Sequence, residues 1–461
     1  MPKGFNIERR SIEFIPEDER YGHPRRLFSF WFSCQMQVST LVVGTLGIAA
    51  GLNLAWTALA IVLGNVIGTI FMAGHSAQGP HLGIPQMIQS RAQFGVLGAA
   101  IPLIIVVIIY VLFNAANAVV MRDSIEAVLP IGNDAAIIGF GVVTIAIGFA
   151  GYELIHKMGA VMSIVSSVVF MIAALIMATK PLPIDALHLT AAAFRSGAFM
   201  LVVTQAASWT LGFGPTVADY SRYLSPRVST WRTFWYTYVG TLLGATLMML
   251  LGALLATSYT NMTQDPGTGI ASLFGRWSTV AQIVIVVGVV ELNVLNLYSA
   301  YMATVTIYCG FNALEQISRR QKFIVMGMAA LAATLIGLAT QYHFNEYFAD
   351  ILNAQIYVLV PWSSINLADY YLVRDGKYSI ADIFSMNGMY GKYNMATLVI
   401  YFVAIASTVP FMDVSFYHSY FAKLLNADIS WIPALIVPGT LYYFVNRHSA
   451  RTHFVSPATN F

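Results

Sequence analysis

Residues 197–217 read GAFMLVVTQAASWTLGFGPTV, an apolar run that Gly212, Gly214 and Pro215 interrupt near its end. A run of about 20 apolar residues predicts a helix that crosses a lipid bilayer. Gly and Pro disfavour a continuous helix, and unwound backbone inside a membrane is tolerated only where it lines a cavity. The run therefore predicts a broken transmembrane helix with a ligand site at the break.

A second interruption lies in the first apolar run of the chain. Residues 33–40 read SCQMQVST, a polar stretch that Gly44 and Gly47 follow. The two interrupted runs stand five runs apart, in corresponding positions of two halves. An odd number of spans in each half turns the second half over, so the matched breaks predict an inverted-repeat transporter. A single Gly more often serves close helix packing, which is the alternative for each break taken alone.

About a dozen apolar runs fill the chain between Leu27 and Arg447. Only 10% of the residues are charged and 57% are hydrophobic, with a mean hydropathy of +0.68, whereas a soluble chain carries about 25% charged residues. The runs do not alternate as barrel strands do, so we predict an all-α polytopic membrane protein. The spans are placed at residues 28–51, 53–75, 98–121, 133–152, 158–179, 197–217, 233–258, 279–311, 323–341, 349–373, 395–415 and 429–446.

The distribution of Lys and Arg predicts the orientation. With the N-terminus in the cytoplasm, 19 of the 24 basic residues lie inside and five outside, as the positive-inside rule requires. We therefore predict a multi-pass protein of the plasma (inner) membrane with both termini cytoplasmic. The predicted parts are a cytoplasmic N-terminal segment (1–27), a first repeat (28–196), a second repeat (197–393), spans 11 and 12 (394–447) and a cytoplasmic C-terminal tail (448–461).

Glu291 is the most costly residue within the apolar runs, because largely apolar sequence surrounds it on both sides. Hydrocarbon disfavours the ionised carboxylate, which suits a group that binds and releases a proton during transport. A static partner for a hydroxyl or amide on another helix is the alternative. Asn293 and Asn296, close by, offer donors and acceptors that could bind a planar heterocycle or orient Glu291.

Aromatic and polar side chains form one stripe on the third predicted span, at positions i, i+3, i+4 and i+7. Aromatic stripes are more often packing than binding, but paired Asn residues in hydrocarbon need partners. With Trp209 and Phe213 on the broken sixth span, the stripe could sandwich a flat ligand by stacking. Gln37 and the backbone at Gly212 complete the predicted substrate site. The stripe consists of Tyr110, Phe113, Asn114 and Asn117.

A charged pair follows the sixth predicted span, and two cysteines lie within the apolar runs. Asp219 and Arg222 follow the sixth span and are predicted to hold an inner gate, with an ordinary solvated helix end as the alternative. Cys34 and Cys309 lie inside apolar runs, which predicts packing residues and argues against a disulfide framework or a metal cluster.

Six segments, in order from residue 14 to residue 394, carry a likeness to a known family. They are FIPEDER (14–20), GIPQM (83–87), RAQFG (91–95), ADYSRYL (218–224), PWSSINLADYYLVR (361–374) and YGKYN (390–394). The chain resembles the nucleobase:cation symporter-1 family, of the purine-cytosine permease type. The resemblance implies a LeuT-like fold with spans 1–5 and 6–10 as inverted repeats and two extra helices. It also implies substrate held between spans 1, 3, 6, 8 and 10, and secondary active uptake driven by protons or sodium.

The resemblance bears on the coupling ion as well. Sodium-coupled relatives hold the cation with carbonyls of span 1 and a Ser/Thr pair of span 8. Aligned on Asn296, this chain has Val294 and Leu295 at the pair, and apolar side chains cannot replace oxygen ligands. Proton coupling through Glu291 is therefore predicted. The alternative is sodium bound at the carbonyls from Phe32 to Gln35.

Relatives also place Trp on span 3, where this chain has Phe113 and Tyr110. This departure implies stacking with different hydrogen bonding. The segment from Gln78 to Gly95 is too short and broken to span, and its family counterpart is an amphipathic cytoplasmic element.

We predict a proton-coupled symporter that imports a purine- or cytosine-like heterocycle by alternating access. It is expected to be a monomer in the bilayer, with no cofactor or metal beyond the coupling ion and no nucleic-acid partner. Sodium-coupled uptake of another ring compound, such as allantoin, hydantoin or a vitamin precursor, is the alternative. An enzyme would need clustered His, Asp, Glu or Cys within the spans, and a channel would need a filter motif; the sequence shows neither.

Overall fold

The computed structural model describes residues 12–150, 152–259, 262, 265–312, 314 and 317–447. The predicted C-terminal tail and the first eleven residues lie outside this part. Helices dominate, and one short antiparallel hairpin joins β1 (Asp413–Val414) to β2 (Tyr417–His418). The helices are α1 (Arg25–Cys34), α2 (Val38–Ala49), α3 (Leu54–Ser76), α4 (Gly79–Leu82), α5 (Gln86–Phe94), α6 (Ala100–Val128), α7 (Asn133–Ala150), α8 (Tyr152–Ala178), α9 (Ser196–Leu211), α10 (Gly214–Ser221), α11 (Thr230–Ser258), α12 (Pro266–Ser272), α13 (Ser278–Asn312), α14 (Arg319–Thr340), α15 (Phe344–Ala368), α16 (Ile380–Phe384), α17 (Met395–Thr408), α18 (Tyr420–Leu425) and α19 (Trp431–Asn446).

Each predicted span coincides with one helix or one pair of helices. Within the described residues, five continuous helical stretches are long and apolar enough to cross a membrane. They are α3 continued by α4, then α6, α11, α13 and α14. The pair α1 and α2 qualifies together as a broken span, bent by 61°. The chain is thus a mostly helical polytopic membrane protein, as predicted. The division into two repeats, residues 28–196 and 197–393, stays a prediction.

Helix ends differ from the prediction by several residues in a number of spans; α8, for example, begins at Tyr152 where residue 158 was expected. The third span was expected to end at residue 121, but α6 continues to Val128, and the Arg122 side chain in this extension donates to the Gln341 carbonyl at 2.7 Å. The eleventh was expected to reach residue 415, but α17 gives way to a 3-10 turn at Val409–Phe411, which contains a proline. After α15 the chain continues as a π-helical turn, Asp369–Val373.

Glycines allow α2 and α11 to touch backbone to backbone. A Cβ added to Gly44 would lie 1.8 Å from the carbonyl oxygen of Met249, and one added to Gly252 would lie 2.0 Å from that of Leu41. Small residues permit this close approach between helices in a membrane. The second half of the broken first span therefore lies directly against α11.

Gly44→Ala is expected to lower the thermal stability of the purified protein. The new methyl group would displace a neighbouring backbone, and overpacking of this kind costs about 1–3 kcal/mol or more. The midpoint of thermal unfolding in detergent should fall by several degrees. Gly139→Ala is the matched control, because nothing lies within 4 Å of a Cβ at that helical position. Equal midpoints for the two variants would contradict the backbone contact.

The segment between α3 and α6 is buried in the bundle. All nine residues of α5 are buried against other helices; the cytoplasmic position that the resemblance implies for this element stays a prediction. The element is covered because α10, α13, α15, α16 and α17 pack around it. Both cysteines are buried free thiols, as predicted.

A buried carboxylate ties α5 to the last helices. Asp369 is 0% exposed and accepts hydrogen bonds from Gln93 Nε2 at 2.6 Å, Tyr378 OH at 2.7 Å and Tyr442 OH at 2.8 Å. The guanidinium of Arg374 completes the set, with Nε 2.9 Å from Oδ1. Buried charges need such partners, so Asp369 joins α5, the π-helical turn and α19 into one unit.

Candidate functional site

The first break lies between α1 and α2. Gln37 is extended, with φ −151° and ψ 158°, and its side-chain Nε2 donates to the Cys34 carbonyl at 3.0 Å. The carbonyls of Phe32 and Gln35, predicted as alternative sodium ligands, accept from Gln35 N at 3.2 Å and Gln37 N at 2.9 Å. Because a carbonyl oxygen has two lone pairs, each can still accept a further contact.

The second break, between α9 and α10, is milder than the first. Gly212 and Phe213 keep near-helical angles, but the amide of Thr216 bonds to Phe213 O at 3.1 Å. The Gly212 carbonyl is thereby freed from the helix and accepts from Tyr110 OH at 3.1 Å. The break thus places a side chain of α6 on the backbone of the interrupted span.

Aromatic side chains predicted to bind substrate meet at this second break. Phe113 and Trp209 lie edge to face, with ring centroids 6.0 Å apart and planes at 79°, and Phe213 lies 6.1 Å from Trp209. Phe348 of α15, which the sequence did not point to, packs on Phe113 at 6.4 Å and on Trp209 at 6.5 Å. A flat ligand between Phe113 and Trp209 would require these rings to separate.

The predicted asparagines join three helices. Asn117 accepts from Ser39 Oγ at 2.6 Å and donates to Asn293 Oδ1 at 2.7 Å, and Asn293 donates to the Asn114 carbonyl at 3.1 Å. Asn296, one turn further along α13, is also buried. In this conformation Asn117 and Asn293 therefore bind each other, and they connect α2, α6 and α13.

Glu291 lines a separate, small cavity beside the first break. Its polar lining includes Ser33, Gln37 and Ser166, so the break meets α8 and α13 here. The Oε1 atom of Gln37 is buried without a hydrogen-bond partner among the described residues. The structure thus places Gln37 beside Glu291, with its side-chain oxygen available to accept a hydrogen bond; substrate binding by Gln37 stays a prediction.

Gln35 lies on the opposite side of the same break. Its side-chain Oε1 accepts from Trp209 Nε1 at 2.8 Å, so this side chain reaches the aromatic cluster. A role for its backbone carbonyl in cation coupling stays a prediction. Gln37 is extended, so the chain changes direction between α1 and α2. The two glutamine side chains therefore point to different sides of the break.

Two further buried glutamines were missed by sequence reasoning. Gln205 precedes Trp209 by four residues, which puts both on one face of α9; this spacing could have identified it. Gln355 of α15 donates from Nε2 to Ser208 Oγ at 3.3 Å, a contact between helices that no sequence spacing indicates. Both side chains carry polar atoms without a partner in the described part of the chain.

The predicted gate residues lie after α10. Asp219 Oδ1 accepts from the backbone amide of Gln86 at 2.8 Å, which fixes the beginning of α5. Arg222 is only 1% exposed and lies over the Tyr223 ring at 5.1 Å. Arg222 is thus not on an ordinary solvated helix end; a gating role for the two residues stays a prediction.

The chain is similar to known membrane permeases. The family described as permease for cytosine/purines, uracil, thiamine, allantoin matches residues 14–432. The putative purine-cytosine permease YxlA of Bacillus subtilis is 42% identical over 443 residues, which cover 95% of each chain.

Solved structures show the same fold. Inward-facing Mhp1 superimposes with a TM-score of 0.76 at 17% identity, over 97% of this chain and 96% of that one. Closed Mhp1 with bromovinylhydantoin bound, a nucleobase-cation-symport-1 family transporter, gives 0.73 at 17% identity, over 96% of each chain. The predicted LeuT-like fold class is confirmed.

Proposed function

Since the chain belongs to the family of permeases for cytosine/purines, uracil, thiamine and allantoin, we propose that it imports a purine- or cytosine-like heterocycle as a symporter using alternating access. It is a transporter and not an enzyme, as its relatives are permeases. The observation that supports the substrate class is the second break, where Trp209, Phe113 and the freed Gly212 carbonyl meet buried glutamines. Aromatic faces bind flat rings by stacking, and amides recognise ring N–H and C=O groups.

We further propose proton coupling through Glu291. The carboxyl group faces a cavity at the first break, so it can exchange a proton when the cavity opens to one side or the other. Leu295 lines the same cavity at a position where the resemblance implies a Ser/Thr cation ligand in sodium-coupled relatives, and an apolar side chain cannot replace that ligand. Orientation with both termini in the cytoplasm, residence in the inner membrane and a monomeric state belong to the same proposal.

Uptake of labelled heterocycles into cells that lack their own nucleobase carriers tests the substrate class. We expect saturable, concentrative uptake of one or more members of a panel of cytosine, adenine, guanine, hypoxanthine and uracil. Allantoin, hydantoin and thiamine precursors belong in the same panel as the alternative substrates. Failure to concentrate any nucleobase, with the protein present in the membrane, would reject the proposed substrate class.

Replacement of sodium by choline at fixed pH separates the two coupling ions. Proton coupling predicts uptake that choline leaves unchanged and that a protonophore abolishes. Loss of uptake in choline would instead support sodium, held by the carbonyls of Phe32 and Gln35 with Glu291 as a charged ligand.

A further inference from the structure

Gln35 presents a free hydrogen-bond donor at the second break. The indole N–H of Trp209 can only donate, so the atom that it contacts at 2.8 Å must be the carbonyl oxygen of Gln35. The remaining amide atom is therefore Nε2, which is buried and has no partner among the described residues.

Gln355 presents the opposite group, a free acceptor. The Ser208 hydroxyl donates to the Leu352 carbonyl, so its oxygen accepts from Gln355 Nε2. This leaves Gln355 Oε1 buried and unpaired within the described chain. The same atom lies 2.5 Å from where a Cβ on Gly212 would stand, directly against the break.

Unpaired polar atoms of this kind need an explanation. A buried donor or acceptor without a partner costs about 1–3 kcal/mol, and native structures keep few of them. Here a donor of the first broken span lies beside Trp209 and an acceptor of α15 lies beside Gly212, so both are at the second break. One turn earlier on α9, both amide atoms of Gln205 are also buried and unpaired among the described residues. A ligand that carries both an acceptor and a donor would satisfy them.

This inference rests on the proposed function and names the chemistry of its substrate. We propose that Gln355 and Gln35 determine specificity: Gln355 Oε1 accepts from an N–H of the heterocycle, and Gln35 Nε2 donates to a ring nitrogen or carbonyl. The substrates are heterocycles with both groups, namely amino-purines, amino-pyrimidines or lactams. Analogues without the N–H donor are rejected, because they leave the Gln355 carbonyl buried and unpaired.

Competition against uptake of labelled cytosine or adenine tests the role of Gln355. Three pairs of competitors differ by one N–H-bearing group. Purine lacks the amino group of adenine, pyrimidin-2-one lacks the amino group of cytosine, and 1-methylhypoxanthine lacks the N1–H of hypoxanthine. For at least one pair, wild-type protein should prefer the donor-bearing member by about 10-fold to 100-fold, the equivalent of one buried hydrogen bond. In Gln355→Met the same ratio should fall to about 3-fold or less.

Ser208→Ala is the matched control. It removes the partner of Gln355 Nε2 but leaves the Oε1 acceptor, so the ratio should stay as in wild type. A ratio lost equally in Ser208→Ala and Gln355→Met would show that only packing matters and would overturn the proposal. Should Gln355→Met fail to reach the membrane, Gln355→Asn withdraws the carbonyl by one methylene and must lower the ratio at least 3-fold.

Gln35 is tested with the complementary change in the ligand. Adenine and its 1-deaza, 3-deaza and 7-deaza analogues differ by one ring-nitrogen acceptor each, and Gln35→Met should abolish the preference for adenine over one of them. Ratios unchanged by both Gln variants, in a protein that does concentrate nucleobases, would overturn this inference alone. Absence of uptake of every nucleobase by wild type would instead reject the proposed function.

Discussion

Glu291→Gln is expected to abolish concentrative uptake while the protein still exchanges substrate across the membrane. The glutamine has the shape of the acid but cannot bind and release a proton, so the inward proton gradient no longer drives accumulation. In proteoliposomes with an imposed gradient, the ratio of internal to external substrate should fall to about 1 in the variant. Counterflow exchange, which needs no net proton movement, should stay within about 3-fold of wild type.

The control for this variant is Glu126→Gln. Glu126 lies exposed near the end of α6, away from the cavity that Glu291 lines, so its replacement should leave accumulation unchanged. Full accumulation by Glu291→Gln would exclude this residue as the proton carrier. Loss of both accumulation and exchange would assign it a structural role, as the static partner that the sequence left open.

Asp369→Ala is expected to destabilise the protein more than any other single change considered. The carboxylate has four donors and no exposure, and its removal leaves the Arg374 guanidinium without a counter-charge. Removing one partner of a buried ion pair costs about 3–5 kcal/mol. We expect little monodisperse protein after solubilisation, and a thermal midpoint many degrees below wild type for what remains.

Asp375→Asn is the matched control from the same loop. Asp375 pairs with Lys377 at 3.9 Å, but its side chain is 88% exposed, and exposed pairs contribute about 0–1 kcal/mol. Its backbone has a positive φ of 51°, which Asn also tolerates. Asp375→Asn should unfold at nearly the wild-type temperature. If Asp369→Ala does so as well, Asp369 does not stabilise the contact between α5, the π-helical turn and α19.

The spans and the first break could be predicted because they depend on local sequence. Apolar length fixes a membrane helix, and the polar stretch at residues 33–40 marks the interruption. Gly44 and Gly47 lie inside α2, where Gly44 serves close packing against α11. The second break was predicted at the correct residues, but it is shallower than expected, since Gly212 and Phe213 keep near-helical angles. Gly and Pro show where a helix can break, whereas the packing of neighbouring helices decides how far it opens.

The pairing of side chains between helices could not be predicted. The sequence placed Asn117 and Asn293 on their spans, yet spacing within one helix does not give the rotation of one helix against another. That rotation decides that these two amides bind each other and that Gln355 reaches Ser208.

The glycine contact between α2 and α11 limits how this carrier can move. With Gly44 against the Met249 carbonyl and Gly252 against the Leu41 carbonyl, neither helix can slide along its neighbour without a backbone collision. α2 and α11 therefore move together as one rigid body. Gly240 against the Phe28 carbonyl and Gly244 against the Phe32 carbonyl tie α1 to α11 in the same way, so both halves of the broken first span travel with α11.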